Sequence, residues 1–247
     1  LGDSLSLGIA WFLENYSHKN PDSRFSFGYA RFSVLGALIN SFILFAGAIL
    51  ILSKSIPRIF HPEAVDPQGM LLLAILGIAV NGLAVLRLKK GLSLNEKVVS
   101  WHLLEDVFGW VVILITSIVL MYVNIPVIDP ILSIALTLYV LFNVIKNVKS
   151  ILSVLLEGVP DNISVQDIES KITSVPGVMA IHHTHIWSLE GEKNLLSTHI
   201  VISEKADHQE IILLKRQIRA LLMRNGIAHV TIETDFESED CGSRSCE

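Results

Sequence analysis

The sequence predicts a membrane-embedded α-helical bundle followed by a small α+β domain. Three observations carry this. The 247-residue chain is 51% hydrophobic, with a mean hydropathy of +0.54, and a soluble domain that apolar would expose large greasy patches. The apolar residues lie almost wholly before residue 157, and most acidic residues after it. Several apolar stretches reach the roughly 20 residues that a bilayer crossing requires.

Residues 33–54, 69–88, 101–123 and 128–146 are each long and apolar enough to span. Residues 1–16 resemble the C-terminal part of a further span. The chain opens on Leu1 inside that stretch, without the charged start or cleavage site of a signal peptide, so we expect a truncated N-terminus with at least one element upstream. Basic residues set the orientation. Lys19, Arg24 and Arg31 lie in segment 17–32, Arg87, Lys89, Lys90 and Lys97 in segment 87–100, and Lys146 and Lys149 at the exit of the last span. Loop 124–127 has no basic residue, and loop 55–67 has Arg58 beside Glu63 and Asp66. The positive-inside rule puts the basic segments and the C-terminal region in the cytoplasm.

The texture changes after Glu157-Gly158-Val159-Pro160. Val165–Thr173 reads as a short amphipathic helix, 178–188 and 195–203 as strands around a turn at Gly191, 208–225 as a helix with Gly226 as its C-cap, and 228–236 as a third strand. The order αββαβ predicts helices on one face of a sheet. The domains expected are therefore 1–156 in the membrane (part of one span plus four more), 157–236 as the α+β domain, and 237–247 as an acidic, mobile tail.

Ionisable residues inside spans are costly and tend to be functional. Asp3, His102 and Asp106 are of this kind. His102 and Asp106 are four residues apart, so a helix puts them on one face, with Cβ atoms roughly 5–6 Å apart. An imidazole and a carboxylate so placed can share a metal ion, and a tetrahedral site needs two further ligands. Asp3 lies about 20 Å in from its cytoplasmic loop and Asp106 about 14 Å from its own, at the helical rise per residue. A fourth ligand one turn before Asp3 would fall upstream of Leu1. The competing reading sets His102 and Glu105 at the interface, in the first turn of the span, with Asp106 assisting a helix N-terminus. Asn40 and Asn81 fit helix–helix hydrogen bonding.

These residues resemble the cation diffusion facilitator family, close to its zinc-exporting branch, along essentially the whole chain. Trp101-His102-Leu103-Leu104-Glu105-Asp106 is similar to the family's HxxxD span. Leu1-Gly2-Asp3 resembles the second acidic position of the paired motif on the second span, and Arg24-Phe25-Ser26-Phe27-Gly28-Tyr29-Ala30-Arg31 the loop that follows it. Asp129-Pro130-Ile131 resembles the entry to the last span and Leu156-Glu157-Gly158-Val159-Pro160 its exit. His182-His183-Thr184-His185-Ile186-Trp187 resembles the first strand of the cytoplasmic domain.

The resemblance implies a multi-pass protein of the bacterial inner membrane: a homodimer with six spans per subunit and a ferredoxin-like cytoplasmic domain, exchanging cytoplasmic Zn2+ for protons. Asp3, His102 and Asp106 would be three of the four transport ligands. It further implies a regulatory metal site at the domain dimer interface, from His182, His199, His208, Glu233 and Asp235. Glu233 stands where the family pattern has His. A histidine at 102 favours a borderline metal such as zinc.

By strand alternation His183 and His185 share one face and His182 takes the other. We expect His183, His185 and Trp187 to be structural. Cys241 and Cys246 are too few for a disulfide framework. Two readings stand for them, as metal-scavenging thiolates or as a plain tail. Nucleic-acid binding is not expected, because the net charge is −5 and no basic stripe occurs. An intramembrane metalloenzyme would need a pattern such as HExxH, which the sequence lacks. The main alternative is a membrane-anchored metal sensor or signalling protein without transport.

Overall fold

The computed structural model describes residues 2–62, 66–88, 94–123 and 125–239, with side chains from residue 8 in the first helix, to residue 86 in the third and from residue 106 in the fourth. Cys241, Cys246 and loop 89–93 lie outside the described residues. The elements run α1 (Gly2–Ser17), α2 (Arg31–Phe60), α3 (Pro67–Leu88), α4 (Leu94–Tyr122), α5 (Ile128–Leu155), α6 (Val165–Thr173), β1 (Ala180–Ser188), β2 (Asn194–Ile202), α7 (His208–Arg224) and β3 (Ile227–Phe236). The expected order αββαβ is present. The chain forms two compact units, residues 1–43 with 145–247, and residues 44–144.

Among the described residues, α2, α3 and α5 are long and apolar enough to cross a membrane, and 106–122 of α4 is a further apolar stretch. Their outward residues are greasy. Leu72, Leu76, Leu83 and Phe142 are all more than 60% exposed, a surface that lipid accepts and water does not. Within residues 44–144, α3 and α4 pack together. At Gly77 an added Cβ would overlap Cδ2 and Cε2 of Trp110. Asp66 caps α3, its Oδ1 accepting from the amides of Gln68 and Gly69. Arg58 Nη2 pairs with Asp129 Oδ2 at 3.0 Å. Asn81, expected to bridge helices, donates from Nδ2 to the Gly77 carbonyl of its own helix at 3.1 Å.

α5 runs nine residues beyond the expected end of its span and stops in a Schellman motif. Glu157 takes the left-handed position, with φ 59°. Its amide donates to Val154 O at 3.3 Å and that of Gly158 to Ser153 O at 2.7 Å, which satisfies carbonyls the helix end would otherwise orphan.

In the α+β part, β2 is the central strand, antiparallel to β1 and parallel to β3. α6 and α7 cover one face. Ile168, Ile172, Leu214, Ile218 and Leu222 from the helices meet Ile186, Leu196, Ile200, Ile202, Ile227 and Ile232 from the strands. Each such fully buried side chain contributes about 1.5–3 kcal/mol. Ser164 caps α6, and Asp207 with Glu210 forms a capping box for α7. Asn225 is the C-cap of α7, and the expected Gly226 follows it with φ 83°, in the left-handed position that ends the helix. His182, His199, Glu233 and Asp235 share the opposite face of the sheet.

Candidate functional site

α4 begins at Leu94, about 12 Å before His102 at the helical rise. His102 and Asp106 therefore stand well past the first turn, and the helix-N-terminus explanation of Asp106 loses its geometry. The two share a face of α4 by their spacing. Asp106 is exposed. Asp3 lies on α1, and the side chains of Asp3 and His102 are outside the described residues.

The second group stands on the face of the sheet opposite α6 and α7. β1 and β2 pair His182 with His199, and β2 and β3 pair His199 with Glu233. Asp235 lies two residues beyond Glu233, on the same face. His182 Nε2 is 3.0 Å from Asp235 Oδ2, and His199 Nδ1 is 3.1 Å from the same oxygen. His199 Nε2 is 3.3 Å from Glu233 Oε2. Ligand atoms of His182, His199 and Asp235 all lie within 4.8 Å of one another. Asp235 and His182 are largely buried, His199 less so, and Glu233 is exposed. Three separate strands thus converge on one carboxylate oxygen.

One detail tests whether a metal fits. His182 Nε2 is buried and, among the described residues, makes no hydrogen bond despite its 3.0 Å approach to Asp235. A buried nitrogen normally has a partner. Two donor atoms that close, without hydrogen-bond alignment, suit lone pairs aimed at a shared third atom. Two imidazoles and a carboxylate supply three of the four ligands of a tetrahedral zinc.

His208 stands elsewhere, exposed in the first turn of α7, and is not among the grouped ligand atoms. His229 packs edge-on against Phe27, with ring centres 5.5 Å apart. His185 and Trp187 line a cleft of about 400 Å³ with Thr184, Ser197 and Glu157.

Strand alternation fails at His183. β1 is irregular between His182 and His185, and His183 has φ 50°. Such a bulge inserts one residue and re-aims the side chains around it. The ring of His183 consequently lies 5.4 Å from that of His182, not on the opposite face.

The sequence reading also missed a polar knot in the loop before α2. Tyr29 donates its hydroxyl to Asp22 Oδ2 at 2.5 Å, and the amides of Arg24 and Phe25 donate to Oδ1. The Tyr29 hydroxyl, then the Phe25 and Arg24 amides, hold the Asp22 carboxyl below its ordinary 3.8. The same bond, with burial, pushes Tyr29 up to about 12. The signal available was Asp22 followed at seven residues by Tyr29, which no periodicity rule picks out. Arg31 Nη2 reaches Glu157 Oε1 at 3.1 Å.

Residues 1–156 match the family model of the cation efflux transmembrane domain, and residues 160–237 that of the cation efflux protein cytoplasmic domain. The zinc transporter ZitB of Yersinia pseudotuberculosis is 33% identical, over all of this chain and 78% of that protein. The cadmium, cobalt and zinc/H(+)-K(+) antiporter of Bacillus subtilis is 32% identical, over 97% of this chain and 78% of its own length. Among solved structures, the metal-bound C-terminal domain of the CzcD transporter from Cupriavidus metallidurans is 32% identical, covering 30% of this chain and 99% of that one with a TM-score of 0.26.

Proposed function

The chain belongs to the cation efflux family, and from that premise we propose that it is a multi-pass membrane carrier that exports zinc from the cytoplasm in exchange for protons. The observation that carries this is His102 and Asp106 one turn apart on α4, inside a segment that matches the cation efflux transmembrane domain. Relatives named for zinc, cadmium and cobalt transport, one of them as an antiporter with protons and potassium, support the substrate and the coupling, and the cation efflux model supports the direction.

His102, Asp106 and Asp3 are the transport ligands in this reading. The metal takes neutral imidazole and ionised carboxylate, so protons and metal compete for the same atoms. Open to the cytoplasm, the site loads metal and sheds protons. Open to the far side, it takes protons and releases metal. Such exchange around a fixed midplane site is what alternating access requires. The His102 imidazole favours zinc over a manganese-type carboxylate site.

His182, His199 and Asp235, with Glu233 against His199, are a cytoplasmic metal site that senses the same ion. The exposed position of Glu233, with His199 partly exposed beside it, suits a site at a homodimer interface. Metal bound there would tighten the dimer and favour transport.

The test is zinc-driven proton flux in proteoliposomes reporting pH from inside. We expect His102→Ala and Asp106→Ala each to abolish flux. Flux at the parent level in both variants would overturn the assignment of His102 and Asp106 as transport ligands, and no zinc-driven flux in the parent would sink the carrier reading and leave the sensor without transport.

A further inference from the structure

We propose that His183 is a metal ligand of the cytoplasmic site, completing with His182, His199 and Asp235 a set of three histidines and one carboxylate inside a single subunit. This rests on the reading of that cluster as a metal site, and goes beyond it in assigning a residue that strand alternation would place on the other face of the sheet.

The geometry of the rings points to it. The centroids of His182 and His199 are 5.2 Å apart, those of His182 and His183 5.4 Å, and those of His183 and His199 5.4 Å. A zinc–nitrogen bond of about 2.0–2.1 Å puts an imidazole centroid about 3.2 Å from the metal, and two such rings at the tetrahedral angle then stand about 5.2 Å apart. All three pairs match that spacing, and together they form a near-equilateral triangle. The pair His183 and His185 does not match, at 6.4 Å. The ligand atoms of His182, His199 and Asp235 are already gathered. The His183 ring nitrogens are not among those gathered atoms, so ligation requires its side chain to turn toward them.

The backbone supports the same assignment. His183 sits in the left-handed region, at φ 50°, in the middle of a strand. A residue with a Cβ is strained there and glycine is not. Strain of this kind is kept where a side chain is needed in a particular place. The bulge delivers the imidazole to the cluster, while the strand resumes its register at His185 opposite Ser197. Three imidazoles and a carboxylate without a thiolate suit borderline ions such as zinc and cobalt(II).

The experiment uses the full chain in detergent, in an Asp106→Ala background that removes the membrane site. Zinc affinity, the histidine count from zinc X-ray absorption, and the melting temperature of the metal-free protein are measured for the background and with His183→Gly added. We expect three histidines on zinc in the background and two with His183→Gly, zinc affinity lower by about tenfold or more, and a metal-free melting temperature no lower, because glycine accepts the left-handed backbone. His183→Asn, which also tolerates that backbone, should weaken zinc in the same direction. Unchanged affinity and an unchanged histidine count in His183→Gly would overturn the assignment. His182→Ala and His199→Ala separate the two layers. If they lose zinc while His183→Gly does not, the site stands and this inference falls. If they keep it, or the background binds no zinc, the site itself is wrong and the inference falls with it.

Discussion

Glu157 ends α5 in a left-handed conformation and at the same point pairs with Arg31, the first residue of α2, at 3.1 Å. The two roles pull against each other. The conformation asks for glycine, while the pair asks for a carboxylate. Both side chains are more than 40% exposed, so solvent and salt screen the pair and it contributes at most about 1 kcal/mol. We predict that Glu157→Gly leaves the melting temperature nearly unchanged, the better cap offsetting the lost pair. Glu157→Val keeps neither and should destabilise by about 1–2 kcal/mol. Thermal unfolding in detergent, followed by intrinsic fluorescence, reads both. A Val variant as stable as the parent would contradict the cap assignment.

The indole of Trp110 lies where a side chain at Gly77 would go. Gly77→Ala should therefore part α3 from α4 and cost about 1–3 kcal/mol, the usual range for overpacking. Gly82, on the same helix, has open space around an added Cβ. Gly82→Ala should be neutral, or stabilising by up to about 1 kcal/mol through helix propensity. The opposite signs of two identical substitutions on one helix are the measurement, made by melting temperature. Equal effects would remove the packing argument.

The knot of Asp22 and Tyr29 predicts stability lost at both ends of the pH scale. Asp22 is held below its ordinary 3.8 in the folded protein. Its contribution is thus present above that value and lost as pH falls through the lower, folded one. Tyr29 is raised from 10.0 to about 12, so its contribution is present below 10.0 and lost as pH rises through about 12. Tyr29→Phe should abolish the alkaline loss and let Asp22 titrate nearer 3.8. Tyrosinate ultraviolet absorbance against pH checks this. The parent should show one tyrosine ionising later than the rest, and the variant should lack it.

Glu190 lies in the turn between β1 and β2, where burial raises its carboxyl. A raised acid contributes stability below its ordinary 4.5 and loses it as pH rises through the folded value. Glu190→Gln should therefore stabilise the protein at pH 7 and have no such effect at pH 4. A melting curve at each pH decides it, and a variant less stable than the parent at pH 7 would overturn the sign.

Much of the architecture was legible because membrane spans and amphipathic strands are periodic signals. Leu196, Ile200 and Ile202 fall on the helix-covered face, with Ser197 and His199 between them on the other, and the apolar runs have the length a bilayer dictates. The helix ends were less so. α4 starts seven residues before its apolar run, since a helix continues into water wherever its backbone bonds are met. His182, His199 and Asp235 came from resemblance, and their meeting on one oxygen depends on strand register, which local sequence does not encode. His183 was misplaced because alternation assumes an unbroken ladder, and a bulge is a property of the pairing, not of either strand alone. The bond of Tyr29 to Asp22 depends on a loop path that no spacing rule describes.

Zinc should stabilise the cytoplasmic site against heat, and the dependence identifies its ligands. A ligand that binds only the folded state stabilises by about 2.7 kcal/mol at a hundredfold excess over its Kd. With the membrane site removed by Asp106→Ala, that gain should appear as a zinc-dependent rise in melting temperature. Asp235→Asn should lose most of it, because Asp235 Oδ2 is the oxygen both histidines approach, at 3.0 and 3.1 Å. Glu233→Gln should lose less, since Glu233 lies 3.3 Å from His199 and is 66% exposed. The rise should also shrink as pH falls, because protons and metal compete for the same nitrogens and oxygens. A zinc-dependent rise of equal size in the parent background and in Asp235→Asn would show that the ion binds elsewhere, and the convergence of β1, β2 and β3 on that carboxylate would then be a structural contact alone.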